Sequence, residues 1–347
     1  MLIKRNRFPV KEIILYGILP SFLKLFIYKL KGYRIGKGVS IGFGSIILGK
    51  DVMIGDYSKI GFITIIRSET IKIGRYVRIG SFTLIDTEKI EIDDDARINE
   101  QVIIGGLRDH DSYIKIGKRT IIMEYSFINP TKPVVIGDDS GIGGHCLLFT
   151  HGSWLSQLDG FPVSFAPITL GRNVWLPWRV FILPGVSIGD NVVVGANSLI
   201  TKSFPSNSLI AGSPAKIIRE NYPPHLSEEG RATVLEGIFE SFIKYIEYNK
   251  FIVVKKEFSE GFQLLIKRKN KEHHLVYFHS SFSKEIYFSK DNLLIIDYLG
   301  DEQKANEKIK CDMTINLRRK SRVGTSLIGE EFISFISRYG IRFNRID

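Results

Sequence analysis

From residue 35 to residue 200 the chain is written in sixes. An Ile, Leu or Val opens each six and a small residue stands at its fifth place: Ile41 with Ser45, Ile60 with Thr64, Ile79 with Thr83, Ile98 with Val102, Ile122 with Ser126, Ile142 with Cys146, Leu176 with Val180, Val194 with Ser198. Such a unit is too short to bury a face alone, so it must stack on its neighbours. Three sixes make a coil of about 18 residues, with corresponding aliphatics at 35, 54, 73, 92, 116, 136, 170 and 188. Each coil is then a triangle of three short strands, with the aliphatic and the small residue pointing inward and coils about 4.8 Å apart. Periodicity alone thus predicts a mainly β, three-sided solenoid of about eight coils. The Gly that follows many opening aliphatics, as at Gly42, Gly55, Gly61 and Gly143, suits corners of unusual φ/ψ.

The repeat divides the chain into a segment 1–34, a repeat domain 35–220 and a region 221–347 that opens on the linker Asn221-Tyr222-Pro223-Pro224. The net charge of +11 is uneven: residues 1–34 hold eight Lys or Arg against one Glu, while the rest hold 40 against 36. A basic footprint spread over the fold is absent, which excludes nucleic acid as the expected partner. Two cysteines cannot form a disulfide framework. Cys146 occupies an inward fifth place, and a reducing, cytoplasmic compartment is expected.

Lys4, Arg5, Arg7 and Lys11 precede an apolar run, 13–30, that Pro20, Lys24 and Lys29 punctuate. No small-residue cleavage motif follows, which disfavours a secretory signal. A helix or broken helix over 1–34 would cap the open edge of the first coil. It would equally suit an interfacial helix on an anionic membrane, peripheral to its inner face. The two roles are compatible.

Two insertions break the sixes. One follows Ile104 and carries His110; the other, 149–169, carries Thr150, His151, Trp154 and Asp159. Long loops on a rigid repeat are where function is mounted. His151 is the candidate general base, because imidazole titrates near neutrality. His145 stands at the fourth place of its six and reads as structural or solvated.

The motifs Thr150-His151-Gly152-Ser153-Trp154, Gly171-Arg172-Asn173-Val174-Trp175, Leu183-Pro184-Gly185-Val186, Gly195-Ala196-Asn197-Ser198 and Ala211-Gly212-Ser213-Pro214-Ala215-Lys216 resemble the hexapeptide-repeat acetyltransferases. The galactoside/maltose group and the O-acetyltransferases of bacterial surface polysaccharides are nearest in look, over residues 20–219. The resemblance implies a left-handed parallel β-helix, a homotrimer and acetyl-CoA as co-substrate, with no metal. It implies acetyl transfer to a hydroxyl of a sugar or glycan precursor, with His151 taking the hydroxyl proton. It places the coenzyme along Trp175, Gly195, Ala196, Asn197, Lys202, Lys216 and Arg219, and the acceptor near Trp154 and Asp159. The chain departs from the family pattern at Leu176-Pro177-Trp178-Arg179, and has Met123 where a coil before the histidine usually carries Asn.

Three other readings stay open: an N-acetyltransferase on an amino sugar; a zinc enzyme resembling the γ-class carbonic anhydrases, through His110, His145 and His151; and a non-catalytic trimeric scaffold. Beyond 221 the pattern predicts a helix over 228–248, strands at 251–258, 262–268, 275–278, 285–288, 293–298 and 313–317, and a helix at 330–339. These form an α+β module of unassigned role.

Overall fold

The computed structural model describes residues 9–152, 155–279, 291–297 and 311–346. The chain separates into two compact units, Met1–Pro224 and His225–Asp347.

The first unit is a left-handed parallel β-helix. Its three sides are parallel sheets: one runs from Arg34–Ile35 to Ser187–Ile188, the second from Ser40–Ile41 to Val192–Val194, and the third from Ile46–Leu48 to Leu199–Ile200. The first and third sheets each hold eight strands, so the stack has eight complete coils. Ser208–Gly212 extends the second side and turns back antiparallel into Ala215–Glu220. The opening aliphatics line the interior; Ile47, Ile66, Ile85, Ile104, Ile128, Leu148 and Ile182 fill it from the third side, each fully buried.

The small fifth residues are small for want of room and polar for a second reason. Ser45 Oγ donates to Gly61 O at 2.6 Å and accepts from the Thr64 N–H at 2.8 Å. Thr64 repeats the bond to Gly80 O at 2.8 Å, Thr83 to Asn99 O at 3.1 Å and Ser126 to Gly143 O at 2.8 Å. These buried hydroxyls stitch each corner to the next coil and leave no orphaned group. Cys146 takes the same place, its Sγ 3.0 Å from Pro177 O, and burial pushes its thiol up to about 11.

Two features differ from the sequence expectation. The early coils run to 19 residues, with Ile35, Ile54, Ile73 and Ile92 in register. The extra residue sits at the third corner, where Ser68 Oγ bonds to Glu88 O at 2.7 Å. The glycines after the opening aliphatics are also not the left-handed residues. That conformation falls at the fourth place, on Tyr57 (φ 58°), Tyr76 (58°), Tyr125 (60°), His145 (56°) and Asn173 (55°). The bond that holds it is regular: the Tyr57 N–H donates to Lys37 O at 2.7 Å, and Tyr76 to Asp56 O at 2.8 Å, one coil back. The glycines are needed for close approach. A Cβ at Gly42 would lie 2.3 Å from Gly61 O, and one at Gly55 would lie 2.6 Å from the Gly74 carbonyl carbon.

The N-terminal segment lies over the first coil as the helix Val10–Glu12, a π turn Ile13–Gly17 and the helix Ser21–Leu30. It caps the strand edges atom by atom. Gly17 O accepts from Gly44 N–H at 2.7 Å, Ser21 Oγ from Ile41 N–H at 3.0 Å and Tyr28 Oη from Ile47 N–H at 3.0 Å. Lys24, one of the residues that punctuate the apolar run, is wholly buried; its ammonium donates to Gly42 O at 2.6 Å and Ser45 O at 3.0 Å. Burial pulls its pKa down to about 8.

The second unit has the helix Glu228–Tyr248, started by Ser227, whose Oγ accepts from Gly230 N–H at 3.1 Å. A seven-stranded mixed sheet follows, from Ile252–Phe258 to Asn344–Arg345, with a second helix at Leu327–Ile336. Phe239, Phe242, Phe332 and Phe335 join the helices to the sheet. The expected strand at 285–288 and residue 298 lie outside the described residues. The last helix begins three residues before the expected 330, because Ser326 caps Gly329 N–H at 2.8 Å.

Candidate active site in the upper coils

The second insertion leaves coil six from the third side, directly after Leu147–Phe149. It folds back as a two-stranded antiparallel hairpin, His151 opposite Phe165 and Gly152 opposite Ser164. Thr150 fixes the point of departure: fully buried, its Oγ1 donates to Asn129 O at 2.7 Å and accepts from Lys132 N–H at 2.9 Å, while its carbonyl accepts from Ala166 N–H at 3.0 Å. Asn129 is itself held, its Oδ1 accepting from the Thr131 hydroxyl at 2.7 Å.

His151 is half-buried, its ring stacked on Phe165 with centroids 4.3 Å apart. Its ring nitrogens make no hydrogen bond to any described residue, so both are available to a ligand. Phe165 lies 14 residues further on, and no local spacing signals it; only the hairpin return brings it to the histidine. Asp159 sits in an exposed single turn, Gln157–Asp159, and Leu158 beside it is 99% exposed. Trp154 lies outside the described residues.

The candidate coenzyme residues fall on two other places. Trp175 stands on the second side, its ring against Gly141, where a Cβ would lie 2.5 Å from the indole. Lys216 and Arg219 are on Ala215–Glu220, the last strand of that same sheet, and both are exposed. Gly195, Ala196 and Asn197 form the corner between second and third sides of coil eight, with Asn197 N–H bonded to Trp178 O at 3.0 Å. Lys202 follows Leu199–Ile200, at the corner His151 uses but two coils on, with its ammonium 5.9 Å from the Phe204 ring. Within one chain, therefore, Trp175, Lys216 and Arg219 share a side that His151 does not.

The three histidines stand apart. His145 stacks between Tyr125 (4.9 Å) and Trp178 (5.6 Å) on the corner between second and third sides. His110 lies on the first insertion, its Nδ1 2.9 Å from Asp109 Oδ1. Among the described residues, Asp109, His110 and Asp111 are the one group with a metal-ligand arrangement. Lys132 already bonds both carboxylates, at 2.7 and 3.0 Å, and this, with His110, holds the Asp109 carboxyl well below the usual range. In the second unit a cavity of about 290 Å³ lies among Ile246, Phe251, Ile266 and Ile328, but its Tyr245 and His273 are engaged by Glu331 and Asp291.

A stacked, three-sided parallel β-helix with a histidine hairpin on an upper coil defines the class, and similarity to known proteins agrees. Residues 167–202 match the family model "Bacterial transferase hexapeptide (six repeats)". The chain is 41% identical over 104 residues to the galactoside O-acetyltransferase of Escherichia coli K12, covering 29% of this chain and 47% of that protein. It is 35% identical over 125 residues to the putative colanic acid biosynthesis acetyltransferase WcaF of the same strain, covering 30% of this chain and 69% of the relative. Among solved structures, a galactoside acetyltransferase in complex with coenzyme A shares 31% identity, covering 38% of this chain and 64% of that one, with a TM-score of 0.33. The chain belongs to the hexapeptide-repeat transferase family. It spans about half the length of the galactoside enzyme.

Proposed function

We propose that this protein is an acetyl-CoA-dependent O-acetyltransferase acting on a sugar or glycan precursor of a surface polysaccharide. The observation that carries this reading is the hairpin on coil six, which presents His151 with ring nitrogens unbonded to any described residue, in a chain that is 35–41% identical over 104–125 residues to proteins named as acetyltransferases or putative acetyltransferases. His151 takes the proton of the acceptor hydroxyl as its oxygen attacks the thioester carbonyl. Backbone N–H groups of a coil stabilise the oxyanion. Collapse expels the coenzyme thiolate, which recovers the proton from the imidazolium.

The separation of His151 from Trp175, Lys216 and Arg219 within one chain favours a site shared between neighbouring subunits, hence a homotrimer with the coenzyme between two β-helices. Lys202, Lys216 and Arg219 supply cations for its phosphates. Gly195, Ala196 and Asn197 keep the wall low for its pantetheine arm, and the hairpin with Trp154 and Asp159 meets the acceptor. The same reading puts the protein in the cytoplasm, with residues 1–34 at an anionic membrane.

The test is calorimetric titration with coenzyme A, followed by acetylation of a panel of nucleotide sugars and surface glycans. Micromolar binding with acetylated product supports the reading. Absence of coenzyme binding contradicts it and leaves the trimeric scaffold.

A further inference from the structure

We infer that the outward face of the N-terminal helix pair inserts in plane into one leaflet of an anionic membrane and stands the β-helix on its first coil. This deepens the membrane contact proposed above. The face that meets the coils is made by Gly17, Ser21, Lys24 and Tyr28, which bond to strand-edge groups of coil one. The large apolar residues point the other way. Ile14, Leu15, Ile18, Phe22, Phe26 and Leu30 are each 59–73% exposed. A helix serving only as a lid would bury its phenylalanines and expose its lysine; here the arrangement is inverted. Single exposed apolar residues are ordinary, but a continuous set marks a docking surface.

The occupant follows from charge and length. Of the eight Lys or Arg in residues 1–34, Lys24 is buried against coil one and Arg34 pairs with Asp51; Lys11, Lys29 and Lys31 are exposed around the apolar face against the single Glu12, and Lys4, Arg5 and Arg7 precede it in sequence. A second copy seated on this face would set that excess of cations against itself, whereas anionic headgroups would neutralise it. Among the described residues no single helix is long and apolar enough to cross a membrane, and the pair Val10–Gly17 and Ser21–Leu30 is bent by 115°. Pieces of roughly 12 and 15 Å fall short of a hydrocarbon core of about 30 Å. They suit an interfacial position, apolar side down.

Orientation is then fixed. The caps bond to N–H and C=O groups of the first coil, which point along the stack, so the helices lie across its end. His151, leaving coil six, stands five coil steps away, about 24 Å. An acceptor carried on a membrane lipid would have to present a sugar at that height.

Binding and orientation can be read together by fluorescence. Trp175 and Trp178 stand on coil seven, and the third tryptophan, Trp154, lies in the insertion that follows coil six in sequence. A Phe26→Trp variant adds a reporter on the proposed face. With vesicles of brominated phosphatidylglycerol, the added emission should be quenched and that of the native tryptophans preserved. Vesicles of phosphatidylcholine alone should bind at least tenfold more weakly, and 0.5 M salt should weaken the anionic interaction. Phe22→Ser with Phe26→Ser and Leu30→Ser should weaken vesicle binding about 100-fold at unchanged oligomer mass and unchanged coenzyme binding. Quenching of the native tryptophans overturns the end-on orientation. Equal vesicle binding by the triple variant, or loss of its oligomer, overturns the membrane as occupant. Because coenzyme binding is measured separately, failure here is distinct from failure of the transferase reading.

Discussion

The four lower coils and the four upper coils share one inward pattern and cross-coil ion pairs on their outer faces, Arg75–Asp94 below and Arg172–Asp190 above, and differ in the loops mounted on them. From Ile35 to Ile104 the coils follow one another in unbroken register, each Ile opposite the next, and their outer faces carry cross-coil ion pairs such as Arg75–Asp94. From coil five upward the register is interrupted twice, after Ile104 and again between Phe149 and Ile168. The second interruption holds the histidine hairpin; above it come Trp175 and the Gly195–Asn197 corner. The inward Ile, Ser and Thr positions provide rigidity in both halves, so the fold does not need the upper outer face for stability. The proposed chemistry falls where stacking leaves the chain free to depart from the sixes.

Predictions that sharpen this contrast run from a large effect to a small one. His151→Ala should reduce acetyl transfer about 10²–10⁴-fold, with coenzyme affinity within a few-fold by calorimetry. Wild-type turnover would remove the upper coils' claim to the chemistry. In the lower coils the largest effect should be steric. Gly42→Ala forces a methyl to within 2.3 Å of a carbonyl oxygen and should destabilise the first unit by roughly 2–4 kcal/mol in denaturant unfolding. Gly152→Ala, on the hairpin, meets nothing within 4 Å and should change stability by less than about 0.5 kcal/mol. Equal costs for the two glycines would break the comparison.

Lys24 tests the capped end. Lys24→Ala leaves the Ser45 carbonyl without its lysine donor and the Gly42 carbonyl with the Ser45 N–H alone, and should cost roughly 2 kcal/mol. The native lysine also gives a pH signature. Its folded pKa is lowered to about 8 from an ordinary value of 10.5. Between those values the unfolded chain binds a proton the folded chain has released, so Lys24 contributes a rise of stability with pH across that window, opposed above about pH 9 by the buried Cys146 thiol, which keeps a proton the unfolded chain releases. The stability of the native chain relative to Lys24→Met should therefore climb from pH 7.5 to 10.5, measured as the difference between their urea-unfolding midpoints at each pH. A smaller effect than at Lys24 belongs to the second unit: Ser326→Ala removes a helix cap and should cost about 1 kcal/mol.

These residues also show how much of the molecule is legible in sequence. The sixes declare the coils, their number and their inward positions, because a residue's place in a stacked repeat is set by its phase alone. Lys24 and Phe165 were not legible, for the same reason in opposite settings. Lys24 looks like a break in an apolar run until the carbonyls of Gly42 and Ser45 are brought to it, 18 and 21 residues away. Phe165 meets His151 only because the insertion folds back on itself. The sequence suggests unusual φ/ψ at the glycine corners where the fold instead needs close approach, since φ is a local property while the approach of the next coil is not. The second unit, having no repeat, gave its helices and most strands by periodicity and nothing about its role.

The central claim is that acetyl transfer occurs at a site shared between chains, with the base from one and the coenzyme cations from the next. It is tested most directly by subunit complementation. His151→Ala and the paired variant Lys216→Glu with Arg219→Glu should each be inactive alone in release of free coenzyme thiol from acetyl-CoA and acceptor. Unfolded together and refolded as mixed oligomers, they should regain activity, because some interfaces then pair an intact histidine with intact cations. A mixture that forms hybrid oligomers and remains inactive would contradict the shared site.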